Sequence, residues 1–282
     1  MTNTIHPSAI IGSAVRLGDG NTIGPGCVLA DGVVLGSRNR LWPYVYVGPG
    51  TTIGDENQIH MGAVLGHEPQ DHAFAGAPSA TVIGHRNVLR EYVTIHRGAQ
   101  EGSATVVGDD NFLMANTHLA HNCRVGNRVT CANLATLGGH CVVEDGAVLS
   151  GLVVLHQFVR IGRLAMVSGL SGLNKDLPPY VFCGGRPAVA QGLNAVGMRR
   201  AGIPASVREE LRRAYKALYR EGLNIPHALE RIASECHSTE ARALLEFVQQ
   251  SKRGILLAAP QDLPDTEDTL LPRVLHRARD AG

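Results

Sequence analysis

The chain has 282 residues, enough for one large domain or a large and a small one, and its 26 Lys+Arg against 25 Asp+Glu leave a net charge of +1. That balance excludes the strong global field expected of a protein that binds nucleic acid or an anionic membrane, and no run of 18 apolar residues is present to span a bilayer. Aromatics make up 4% of residues, with one Trp, while glycine reaches 33, a composition suited to a thin, regular, stacked interior with no room for rings.

At the N-terminus, MTNTIHPSAI has no basic region followed by an apolar one, so no secretory signal is read and a cytoplasmic setting is expected. The cysteines at 27, 123, 131, 141, 183 and 236 lack CxxC spacing and read as small buried hydrophobes in a reducing compartment.

A period of six then dominates the chain. Every sixth residue from Ile5 to Leu173 gives 29 positions, of which 25 are Ile, Leu or Val. Those three types fill only about a quarter of a typical chain. A period of six is neither the 3.6 of a helix nor the 2 of a simple strand, but it fits a short strand, a turn and a fresh start. Glycine often follows the aliphatic residue, as in Ile11-Gly12, Leu17-Gly18, Ile23-Gly24, Val47-Gly48 and Ile53-Gly54. It is read as answering a tight corner's demand for positive φ and close backbone approach. Three corners per coil make a triangular solenoid of about 18 residues per turn, its coils stacked about 4.8 Å apart. The series breaks at Asp71 and Ala77 and again at Glu101. Loops are therefore expected near 67–81 and 98–104.

The solenoid should end near Pro178-Pro179, within a domain spanning 1–190. A C-terminal helical domain follows over 191–256, with helices read over 204–221, 225–236 and 239–252. It should cover the exposed edge of the last coils. Residues 257–282 carry three prolines and many charges and read as a tail.

The length of one turn also places side chains. From His121 a full turn leads to Gly139, beside His140, and a second to Gln157, beside His156, so these residues should line nearly one edge. His118 lies close by on the same coil, and His96 comes earlier, beyond a loop. Three readings compete here: histidines scattered at surface corners, a zinc site like the three-histidine centre of γ-carbonic-anhydrase-type hexapeptide proteins, or a general base with neighbouring groups that position substrate.

The stretch HLAHNCRVGNRVTCANLATLGGHCVVEDGAVLSGLVVLHQFVRIG (118–162), with TIHRG at 94–98, PPYV at 178–181 and GLNAVGMRR at 192–200, resembles the UDP-N-acetylglucosamine O-acyltransferases that begin lipid A synthesis. The resemblance covers residues 1–256 and implies a left-handed parallel β-helix followed by a small helical domain. It implies a homotrimer with its site between subunits, acyl carrier protein as donor, a UDP-linked amino sugar as acceptor, and no cofactor or metal. On the same grounds His121 is the general base for the sugar 3-hydroxyl, the Gly139 N–H is the oxyanion donor, and His140 holds the sugar. His96, His118, His156 and Gln157 match pocket positions, Asp71 an acceptor-binding residue, and Asn194 and Arg200 nucleotide contacts. Gly169 matches the position that limits acyl length, and glycine there leaves the slot open to a longer chain. Met166 either lines that slot or is ordinary core. The cationic segment 186–220 would steer an acidic carrier protein or is simply a solvated helix face.

Five residues depart from the family pattern. Asn122 stands for an aspartate beside the base, Ala73 for a lysine, Val196 for a glutamate, Ala201 for an arginine and Pro187 for a histidine. Most of these fall on the acceptor side. They keep open the same chemistry on another acceptor, such as a 3-amino sugar nucleotide, or a non-catalytic paralogue that binds a sugar nucleotide.

Overall fold

The computed structural model describes residues 2–259, so nearly all of the tail expected over 257–282 lies outside the described residues. Short parallel strands, most of two residues, build three sheets of eleven, nine and eight strands. One full coil is Thr22–Ile23, Val28–Leu29 and Val34–Leu35, contributing to the first, second and third sheets in turn. In each strand the second residue points inward: Ile23, Leu29, Leu35, Leu41 and Val47 are all at most 1% exposed. The first coil is the exception, with Ile5 at 40%, because no coil lies beneath it.

The register shows how the repeat survives its interruptions. Gln58 pairs with Arg40 on the coil below and with Val88 on the coil above, and Val88 pairs in turn with Phe112. Along the same corner the sequence separation is 18 from Asn39 to Asn57, 30 from Asn57 to Asn87 and 24 from Asn87 to Asn111. The first loop therefore adds twelve residues and the second six. Both are whole hexapeptides, so the inward series stays in phase. The loops lie between Val64–His67 and Ala80–Ile83, and between Thr94–His96 and Ala104–Val107. Both project from the corner joining the second sheet to the third.

The structure changes the reading of the glycines. Gly24 and Gly54, which follow inward aliphatics, do not have positive φ. They are needed for close approach, since a Cβ on Gly54 would lie 2.7 Å from the Gly84 carbonyl oxygen. The left-handed residue falls two positions later and is often not glycine, as at Tyr44, Tyr92, His140 and Phe158.

A ladder that the sequence reading missed runs inside the corner between the third and first sheets. The buried side-chain oxygens of Asn21, Asn39, Asn57 and Asn87 each accept the backbone N–H of the next asparagine, at 2.8–2.9 Å, and Asn111 passes the bond to Val129. Each amide nitrogen donates to a glycine carbonyl of the coil above, as Asn57 does to Gly84 at 2.9 Å.

At the far end, Val181–Gly185 joins the first sheet and turns into the antiparallel strand Ala188–Leu193. Helices α1 (Ala195–Arg200), α2 (Ala205–Tyr219), α3 (Ile225–Glu235) and α4 (Thr239–Gln249) follow. Leu211, Ala214 and Leu218 of α2 join Tyr180, Met198, Ile232 and Leu244 in a second apolar cluster. Asp176, 1% exposed, ties the last coil to the segment after α4: its carboxylate accepts from the Arg160 N–H and from the Ser251 hydroxyl. All six cysteines are buried and free. Among the described residues no helix is long and apolar enough to cross a membrane.

Replacing Asn57 with Leu leaves the Asn87 N–H and the Gly84 carbonyl buried without partners. Each such group costs about 1–3 kcal/mol, so chemical denaturation should show a loss of roughly 2–5 kcal/mol.

Candidate active site

Both loops and most of the histidines occupy one edge, the corner between the second and third sheets. There His121, 7% exposed, has its Nδ1 2.9 Å from the Asn122 side-chain oxygen. That oxygen also accepts the Ala99 backbone N–H at 3.0 Å. A backbone N–H can only donate, so the atom facing His121 is the amide carbonyl, and Nδ1 must carry the proton. Nε2 is left with its lone pair. It faces the Asp71 carboxylate at 3.8 Å and the backbone of Gly139, where a Cβ would lie 2.7 Å from Nε2. The Gly139 N–H donates to no group among the described residues. The corner is further braced by the Asn122 N–H donating to Thr105 Oγ1 at 2.8 Å.

The other imidazoles crowd around this one. The His140 ring meets His121 edge-on at 5.2 Å and stacks on Phe158 at 4.6 Å. Burial, with repulsion from His121, lowers its pKa against the pull of Asp71. His118 Nδ1 lies 2.7 Å from Thr94 Oγ1, and burial lowers its pKa too. His96, 6% exposed, meets His118 edge-on at 5.0 Å. Burial first, and then His118, His67 and His121, push its pKa down to about 4. His96, His118 and His140 are thus all biased toward their neutral forms.

Asp71 comes from the first loop, held in a tight turn by the Ala73 N–H at 3.0 Å. Two columns emerge along the edge, His121–Gly139–Gln157 and Asn122–His140–Phe158, each advancing by one regular coil at a time. His156 does not join them. It sits one position before Gln157 and is exposed, as Gln157 and Phe158 are, with its Nδ1 3.2 Å from the Gln157 carbonyl. Phe158, Thr94, Arg97, Ala99 and His67 were missed by the sequence reading. Phe158 lies one coil beyond His140 and could have been found by the same step. The other four depend on loop lengths that only the register reveals.

Four expected residues stand elsewhere in the single chain. Met166 lies on the outer face of the first sheet, beside Val148 and Phe182, and Gly169 lies at the corner between the first and second sheets, with the Gly151 carbonyl 3.3 Å from where a Cβ would be. They do not share a slot with the histidines of the same chain. Asn194 caps α1 by accepting the Gly197 N–H and donating to the Leu164 carbonyl, so both ends of its amide are in use. Arg200 is exposed in the last turn of α1. Leu164 marks a third corner of the triangle, away from the histidines. Val196, Ala201 and Pro187 are exposed.

Four arginines of the cationic segment are anchored on backbone carbonyls, which leaves their charge intact. Arg186, Arg208, Arg213 and Arg220 donate to the backbone carbonyls of Leu170, Ile203, Glu235 and Ala259, and Arg212 pairs with Glu209.

The profile described as UDP-N-acetylglucosamine O-acyltransferase, domain 2, matches residues 176–256, and that of bacterial transferase hexapeptide repeats matches residues 32–67. A protein of Thiobacillus denitrificans named acyl-[acyl-carrier-protein]–UDP-N-acetylglucosamine O-acyltransferase is 46% identical over 255 residues, covering 90% of this chain and 99% of its own. A Gloeothece citriformis protein of the same name is 41% identical over 194 residues, 69% of this chain and 70% of its own. Among solved structures, the UDP-N-acetylglucosamine acyltransferase of Bacteroides fragilis superposes with a TM-score of 0.86 at 34% identity, over 90% of this chain and all of that one. The Acinetobacter baumannii structure gives 0.80 at 37% identity, over 90% and 98%.

A histidine held below its ordinary value contributes stability that is complete above pH about 6.5 and is lost as pH falls toward its folded pKa. For His96 that window runs from 6.5 down to about 4, with His118 and His140 adding in the same direction. Denaturant midpoints should fall across this window, and His96→Gln should flatten the slope.

Proposed function

Because this chain belongs to the UDP-N-acetylglucosamine O-acyltransferase family, we propose that it moves an acyl group from an acyl carrier protein thioester to the sugar 3-hydroxyl, with His121 as the base. This is the reaction that the family resemblance places at the start of lipid A synthesis. The observation that carries the assignment is the fixed tautomer of His121: Asn122 holds Nδ1–H, so Nε2 keeps its lone pair beside Gly139, whose N–H donates to no group among the described residues. Nε2 takes the hydroxyl proton as the sugar oxygen attacks the thioester carbonyl. The carbonyl oxygen becomes an oxyanion and receives the Gly139 N–H, a preorganised donor. Collapse breaks the carbon–sulfur bond, and the departing thiolate recovers the proton from imidazolium. The products are the sugar ester and the free carrier thiol.

Asn122 accepts a hydrogen bond but cannot offset the positive charge that develops on the ring. Asp71, 3.8 Å from the opposite nitrogen, supplies a negative charge on that side and is placed to orient the acceptor. His140, stacked on Phe158, forms the adjacent wall for the sugar.

The single chain presents only part of this site. Tyr44, Tyr92, Leu134, Leu152 and Leu170 form a stripe up the corner between the first and second sheets, from 44% to 72% exposed. An apolar stripe of that length fits contact between copies of the chain. In a homotrimer, the corner bearing Asn194 and Arg200 and the outer positions Gly169 and Met166 would meet the histidines of a neighbour, giving nucleotide and acyl-chain contacts from two chains.

A mass-spectrometric assay with 3-hydroxyacyl carrier proteins and UDP-N-acetylglucosamine, alongside its 3-amino analogue, tests the reading. The O-acylated ordinary sugar nucleotide is expected. His121→Ala should lower kcat by about 10²–10⁴-fold with KM little changed. Gly139→Ala, whose methyl would collide with Nε2, should also lose most of kcat. Full activity in the His121 variant would overturn the assignment, and product from the amino analogue alone would replace the acceptor.

A further inference from the structure

Among the described residues, side-chain nitrogen or oxygen atoms of Thr51, Ser79, Thr81, His96 and Arg97 are buried without a hydrogen-bond partner. Ser79 belongs to the first loop, Thr51 and Thr81 lie on strands of the third sheet, and His96 and Arg97 stand at the start of the second loop. Thr51 and Thr81 are paired in register on the third sheet, and Thr51 Oγ1 abuts Gly66 at the start of the loop. Buried polar atoms in folded proteins are overwhelmingly paired, so a concentration of this kind marks a place built for something else.

Two of these residues, Arg97 and Ser79, line a hollow of about 220 Å³ with Pro49, Gly50, Gly76 and Pro78. No carboxylate lines it. The Arg97 side chain is only 12% exposed, and its Nε is one of the unpaired atoms. The guanidinium is held from outside, with the Phe74 ring centre 5.3 Å from its carbon and Glu68 at 3.5 Å from Nη2. Nη1 makes no hydrogen bond to any group among the described residues. Gly50 and Gly76 both have positive φ and leave that side of the hollow bare of side chains.

We propose that this hollow is a phosphoryl subsite, with the Arg97 guanidinium and the Ser79 hydroxyl as donors to phosphate oxygens. A planar cation beside a neutral hydroxyl, in a pocket free of acid, suits a tetrahedral oxyanion. Arg97 follows His96, whose ring belongs to the histidine cluster, so the subsite adjoins the reaction centre. The source of the phosphoryl group rests on the acyl-transfer reading above; anion binding itself does not. Within that reading, either the diphosphate of the acceptor or the phosphate of the carrier protein's pantetheine arm could be seated here.

The test starts with inorganic phosphate titrated calorimetrically into the full chain. Wild-type protein should bind it, Arg97→Met should bind on the order of ten- to a hundredfold more weakly, and Ser79→Ala, which leaves Phe74 and Glu68 in place, several-fold more weakly. Steady-state kinetics then identify the source. A raised KM for the nucleotide sugar with kcat little changed assigns the subsite to the diphosphate, and a raised KM for the acyl carrier protein assigns it to the pantetheine phosphate. Lost phosphate binding with both KM values unchanged makes free phosphate the ligand. Equal phosphate affinity in wild type and both variants overturns the proposal. Because phosphate binding is read without turnover, its failure and the failure of the acyl-transfer reading are separate results.

Discussion

Each coil hangs from the next by backbone hydrogen bonds between parallel strands, and in the regular stretches that bond fixes the step at three hexapeptides. Everything else in the molecule accommodates this constraint. An inward residue meets the same kind of neighbour on every coil, so the interior is filled mainly by Ile, Leu, Val, Ala and cysteine with asparagine and threonine at the corners, and rings such as Tyr44 and Phe158 stand outside. Additional chain can leave only at a corner, and must return without shifting the inward phase. The two loops do so, with twelve and six extra residues, placing irregular chain next to the histidines while the coils above and below keep their register.

The candidate site thus has a floor of regular coils and a roof of two loops. Gly139 and His140 are set by the solenoid backbone, as the bond from the His140 N–H to the His121 carbonyl shows. Asp71 arrives from one loop and the Ala99 N–H from the other. Asn122 joins floor and roof, since one oxygen serves both His121 and Ala99. Burial lowers the pKa of His96, His118 and His140, and repulsion from neighbouring imidazoles adds to it at His96 and His140, which keeps the three uncharged near neutrality.

Period-six patterning made the solenoid readable, because burial at every coil repeats the same demand on the same position. The step from His121 to Gly139 was readable for the same reason. The asparagine ladder carried an equally regular signal, at 21, 39, 57, 87 and 111, but its spacing stretches wherever a loop intervenes and shows only once those insertions are known. Four arginines of the cationic segment are anchored on backbone carbonyls with their charge intact, an ordering that charge counting cannot detect.

By itself the sequence determined that this chain is a parallel β-helix of hexapeptides with a helical end, and which histidine and glycine face one another across adjacent coils; both follow from a local period that every coil must obey. Only the tertiary structure decided the tautomer of His121, the arrival of Asp71, the unpaired donors of Arg97 and Ser79, and the placing of Asn194 and Met166 on other faces of the triangle. Those depend on where loops land and which side chains they meet, and contacts between residues with no fixed spacing leave no period to read.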